Sequence, residues 1–70
     1  MPVIARDNYP ELNKILWDIK ADKIQPKDAF EIYERRWGYV EQQNLTQPER
    51  KLIAKLARLF GNGIFAPLNV

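Results

Sequence analysis

The chain of 70 residues contains no cysteine, no histidine and no serine, and Thr46 is its only threonine. Without those side chains neither a Ser–His nor a Cys–His nucleophile can be assembled. A tetrahedral zinc site loses its usual ligands for the same reason, and no disulfide can staple the fold. Absence of cysteine fits a reducing compartment, and the N-terminus lacks the basic-then-apolar run of a secretory leader, so a cytoplasmic protein is expected. No apolar run is long enough to span a bilayer, so no membrane association is expected. Charge of one sign is also lacking: eleven lysines and arginines are interspersed with nine carboxylates for a net +2. That is unlike the dense basic stripe of a dedicated nucleic-acid binder. No repeat, low-complexity segment or linker divides the sequence, and a chain this short buries only about 60% of its unfolded surface. One small domain, residues 1–70, is expected.

What is present is helical periodicity. The stretch 28–40 places Phe30, Tyr33, Trp37 and Val40 at three- and four-residue steps, on one face of a helix, with Glu31, Glu34 and Arg35 opposite. Pro26 suits a first helical turn and Val40 continues the stripe, which predicts a central helix over about 26–42, with Gly38 as either a close-packing site or an early stop. Pro10 opens a first helix over about 10–17, apolar at Leu12, Ile15 and Leu16, with Trp17 at its end. Thr46 and Glu49 have capping-box spacing, in which the hydroxyl takes the Glu49 N–H and the carboxylate reaches back to the Thr46 N–H. A third helix over about 47–60 follows, with Leu52, Ile53, Leu56, Leu59 and Phe60 on one face and Lys51, Lys55 and Arg58 opposite. Gly61 is placed to end it in a left-handed conformation. The uncharged tail 62–70, with Ile64, Phe65 and Leu68, is expected to fold back on the bundle or on a partner. Residues 18–25 alternate apolar and charged side chains as a strand would, but no mate for a strand is evident. The fold class expected is an all-α, small three-helix bundle with an apolar C-terminal tail and negligible strand.

Candidate chemistry is sparse. Asp18 and Asp22 lack the glycine and terminal glutamate of a calcium loop, and Lys20 occupies a ligand position. Glu31 and Glu34, the nearest thing to a glycosidase pair, lie on a polar helix face beside lysine and arginine. Gly61-Asn62-Gly63 lacks the lysine and following helix of a phosphate loop. No catalytic residue, metal or cofactor is expected. Binding is better supported. Ile32, Arg36 and Tyr39 form a second stripe flanking the core stripe, and arginine with tyrosine is the composition of interface anchors. This flank is covered either within the chain, by the first helix with Trp17 or by the tail, or by a partner protein. The alternative is a DNA-binding regulator of helix-turn-helix type using Lys51, Lys55 and Arg58, although Pro48 and Glu49 stand where base-reading residues are needed.

The residues Leu16-Trp17-Asp18, Ala29-Phe30, Tyr33-Glu34-Arg35-Arg36-Trp37, Tyr39-Val40, Leu45, Glu49-Arg50, Leu52-Ile53 and Phe60-Gly61-Asn62-Gly63-Ile64 give the chain a family likeness. Over roughly 12–65 it resembles the small bacterial antitoxin-like partner proteins of abortive-infection type nucleotidyltransferase toxins. The resemblance implies a non-enzymatic, antitoxin-like inhibitor that binds and restrains another protein, such as a toxin. Self-association is the alternative to such a protein partner.

Overall fold

A computed structural model describes residues 2–65. The described residues are mostly helical, with three α-helices and one small two-stranded sheet among them. The helices are α1 (Pro10–Ile15), α2 (Pro26–Arg35) and α3 (Gln47–Phe60); the strands are β1 (Ile4–Ala5) and β2 (Lys23–Ile24). Each helix has a proline in its first turn, where the missing N–H would have no intrahelical partner. Among the described residues no helix is long and apolar enough to cross a membrane.

The third helix has the expected bounds, and the other two are shorter than their apolar patterns. The N–H of Arg36 still reaches the Ile32 carbonyl at 2.8 Å, after which a 3₁₀ turn over Trp37–Tyr39 contains Gly38. Gly38 thus marks an early stop, in keeping with its poor helix propensity. Val40 is nevertheless buried, brought to the core by this turn and not by a further turn of α2. Another 3₁₀ turn, Gln42–Asn44, leads to α3. The alternating connector does have a mate: β1 pairs antiparallel with β2 in the register Ile4↔Ile24 and Ala5↔Lys23. The N-terminal arm supplies it, which a local reading of 18–25 could not reveal.

The core is formed by Leu12, Ile15 and Leu16 from the α1 segment, Ala29, Phe30, Ile32 and Tyr33 from α2, and Leu52, Ile53, Leu56 and Ala57 from α3. Ile4, Ile24 and Val40 complete it. Three expected core residues sit further out. Trp37 is half-buried, its ring 4.8 Å from that of Phe65 and 6.4 Å from that of Tyr33. Leu59 and Phe60 are exposed, although the Phe60 ring lies 6.2 Å from that of Phe30 in α2. Of the apolar tail, Phe65 does fold back, on Phe30 and Trp37, while Ile64 is exposed and Leu68 lies outside the described residues.

Gly61 ends α3, but not through a left-handed conformation: its φ is −117°. A side chain there would meet the Ile64 carbonyl oxygen at 2.1 Å, so the requirement is space. The left-handed residues follow it, Asn62 at φ 53° and Gly63 at φ 83°.

Candidate protein-interaction site

Six residues of α1 are too few to hold a helix in water without outside support. Side chains from the rest of the chain hold both of its ends. At its N-terminus, Glu49 Oε1 accepts the Glu11 N–H at 3.2 Å, and Oε2 accepts the Leu12 N–H at 2.8 Å and the Tyr33 hydroxyl at 2.7 Å. Only half of the expected capping box is made. The Thr46 hydroxyl accepts the Glu49 N–H at 3.3 Å, but the carboxylate turns inward, fully buried, to cap a different helix. Burial and this hydrogen bond push the Tyr33 hydroxyl well above the usual tyrosine range. Glu11 in turn accepts the Glu41 N–H at 2.8 Å and pairs with Lys14 at 2.8 Å, which lowers its carboxyl below the ordinary value.

At the other end of α1, two arginines donate to carbonyls of its last turn and of the segment that follows it. Arg6 donates to the carbonyls of Asn13 at 3.1 Å, Leu16 at 3.0 Å, Ala21 at 3.2 Å and Ile19, and to Asn13 Oδ1 at 2.6 Å. Arg36 donates to the Ile15 carbonyl at 2.8 Å and forms a bidentate pair with Asp18 at 2.8 and 2.9 Å. A carboxylate at the start and guanidinium groups at the end both complement the helix dipole. Arg36 holds the Asp18 carboxyl below its ordinary value.

This second arginine also organises a surface. Its guanidinium carbon lies 4.3 Å from the Trp17 ring centroid, and Trp17 meets Tyr39 edge to face with centroids 5.2 Å apart. Both aromatics remain more than half exposed, Trp17 at 58% and Tyr39 at 59%. The sequence-derived stripe is therefore divided. Ile32 is buried in the core, whereas Arg36 and Tyr39 come together through Trp17. Trp17 and Asp18 were not singled out as site residues. Their signal is adjacency, since an aspartate can fix a guanidinium edge-on while the neighbouring indole covers its flat face.

Ile32 also lies on the floor of a partly open groove of about 350 Å³ with Ile19 and Ile24, rimmed by Lys23, Asp28, Glu31 and Arg35. The alternative nucleic-acid residues Lys51, Lys55 and Arg58 are all exposed on α3. The connection preceding α3, residues 36–46 with two 3₁₀ turns, is longer than the three- to four-residue turn of a helix-turn-helix. Compared with known proteins, the chain matches no family model, no curated protein and no solved structure.

Proposed function

We propose that this chain is a small, non-enzymatic, cytoplasmic interaction module whose three helices and apolar tail form a bundle that binds and restrains a partner protein. The observation that carries this reading is the Trp17–Arg36–Tyr39 cluster. Two large exposed aromatics meet edge to face, and one of them lies against an arginine that is itself fixed by Asp18 and the Ile15 carbonyl. Trp, Tyr and Arg are the residue types enriched at interface hot spots, and rigid anchors lose little side-chain entropy on binding. The resemblance to bacterial antitoxin-like proteins supports the same class of function, with a toxin as the partner restrained. Ile32, buried in the core and lining the groove beside Ile19 and Ile24, is not part of this exposed cluster.

Trp17→Ala and Tyr39→Ala test it. Each removes exposed area while sparing the Arg36 hydrogen bonds, so each variant should melt close to the parent. Loss of a hot-spot anchor costs about 2 kcal/mol or more in binding, roughly a thirtyfold weaker complex. Affinity capture from the source cell, with sedimentation of the isolated chain to detect self-association, should show a complex formed by the parent and lost in both variants. Undiminished capture of the same partner by both folded variants would refute this surface as the interface.

A further inference from the structure

We infer that the outward face of α3 binds the phosphate backbone of duplex nucleic acid without regard to base sequence. Glu49 is the only carboxylate in α3, and it is fully buried against α1 and Tyr33. Its removal from the surface leaves Arg50, Lys51, Lys55 and Arg58 exposed on a face that carries no negative charge. The asymmetry extends to the whole chain: residues 1–41 hold seven cations and eight carboxylates, residues 42–70 four cations and Glu49 alone. Charge separation of this kind points to a polyanionic partner. Lys51, Lys55 and Arg58 follow one another at four- and three-residue steps, a row about 10 Å long at 1.5 Å per residue. None of the three is paired with a carboxylate among the described residues.

The shape of the face agrees with its charge. Arg50 and Lys51 flank a shallow, open recess floored by Gln47 and the small Ala54. A phosphate can approach the helix there with a cation on either side. Arg50 is the most constrained of the four, since it donates to the Leu45 carbonyl at 3.3 Å and the Gln42 carbonyl at 3.4 Å.

Three polyanions have to be separated. An anionic membrane requires large apolar groups among the cations, but the middle of this face is Gln47, Arg50, Lys51, Ala54 and Arg58, with Leu59 only at its edge. Acidic protein partners favour interfaces depleted in lysine and anchored by aromatics, and the two lysines here have no aromatic between them. Nucleic-acid backbone is met by scattered lysine and arginine with no further requirement. The long connection before α3 and the Pro48 at its start leave no base-reading geometry, so contact is to phosphate.

Anisotropy of a labelled random-sequence duplex of about 20 base pairs tests the inference with the full chain. The dissociation constant should fall in the non-specific range of ~10⁻⁴–10⁻⁶ M near physiological salt, and three to four neutralised phosphates give a log–log salt slope of about −3. Affinity should then drop about 60-fold between 50 and 200 mM salt. The double variant K51A/K55A, with helicity checked by circular dichroism, should lose about two units of that slope. The double variant K20A/K27A makes the same change in net charge on exposed residues elsewhere and should keep the parent slope. Equal losses in the two double variants would overturn the inference by showing dependence on net charge alone. So would absence of binding at 20 mM salt, displacement of the duplex by poly-glutamate at matched charge, or preference for phosphatidylglycerol vesicles over the duplex.

Discussion

The Glu49 carboxylate joins α3 to α1 and α2 through three hydrogen bonds, and its replacement gives a sharp test. Glu49→Ala leaves two buried backbone N–H groups, of Glu11 and Leu12, and the Tyr33 hydroxyl without their acceptor. Each orphaned group costs about 1–3 kcal/mol, and water entering the vacated space offsets part of it, so a total loss of about 3–6 kcal/mol is expected. With roughly 0.05–0.15 kcal/mol of stability per residue, a chain of this length has only a few kcal/mol in all. Most of the Glu49→Ala protein should be unfolded at room temperature. Glu49→Gln keeps the shape and one acceptor oxygen. In either orientation of the amide, its NH₂ group faces a backbone donor, and one bond is replaced by a clash of donors. That costs about 2 kcal/mol, a fall of about 8–16 °C in Tm for a domain of this size. Circular dichroism without denaturant reports the loss of Glu49→Ala, and urea denaturation measures Glu49→Gln. A cycle with Tyr33→Phe should show a coupling of about 0.5–3 kcal/mol, because the two side chains share one hydrogen bond. If Glu49→Gln melts with the parent and the cycle shows no coupling, the carboxylate does not hold the three helices together.

Trp37→Ala should destabilise by about 2 kcal/mol, below the 3–5 kcal/mol of a fully buried aromatic, because the ring is half-buried against Phe65 and Tyr33; a protein largely unfolded without denaturant, as expected for Glu49→Ala, would show a deeper role. Stability should also fall in acid. The carboxyls of Glu11 and Asp18 are lowered in the folded protein from ordinary values of 4.5 and 3.8, so their contribution is present above about pH 4.5 and lost as pH falls through the lowered values. Glu11→Gln should flatten this limb of a stability profile measured between pH 7 and pH 2. Tyr33 acts in the opposite sense at high pH, since its raised hydroxyl stays protonated when folded and stability should decline above about pH 10.

Much of the scaffold was legible in the sequence because the signals were local. Pro10, Pro26 and Pro48 mark the helix starts, and the bounds of α3 follow from Thr46 and Gly61. The errors arise where distant groups decide the outcome. Periodicity carried α2 through Gly38 to Val40, yet a 3₁₀ turn delivers Val40 to the same core. The strand pair needs Ile4 and Ile24, twenty positions apart, and neither segment alone has more than two paired residues. Arg6 lay in an arm with no period, and no sequence pattern discloses that it gathers the carbonyls of Asn13, Leu16, Ile19 and Ala21. The interface stripe was half legible for the same reason. Arg36 and Tyr39 share a flank with Ile32 on an ideal helix, but α2 ends between Ile32 and Tyr39, and Trp17 arrives from the turn after α1 to complete a different cluster.

The placement of Glu49 connects fold and surface. Read as one half of a capping box, it would put a negative charge at the outer start of α3, where it opposes anion binding. α1, however, is a short helix with open N–H groups, and its N-terminus lies within reach of Glu49. Taking the carboxylate inward satisfies those groups and the Tyr33 hydroxyl together, while the Thr46 hydroxyl alone serves the start of α3. The positive face of α3 is then a consequence of how α1 is held. The same logic governs Arg36, which closes the C-terminal end of α1 and thereby fixes Trp17 beside Tyr39. Both surfaces proposed for binding thus depend on charges that the protein uses to complete its shortest helix. Substitutions at Glu49 or Arg36 should alter folding and binding together, whereas Lys51, Lys55, Trp17 and Tyr39 are the positions at which binding can be changed alone.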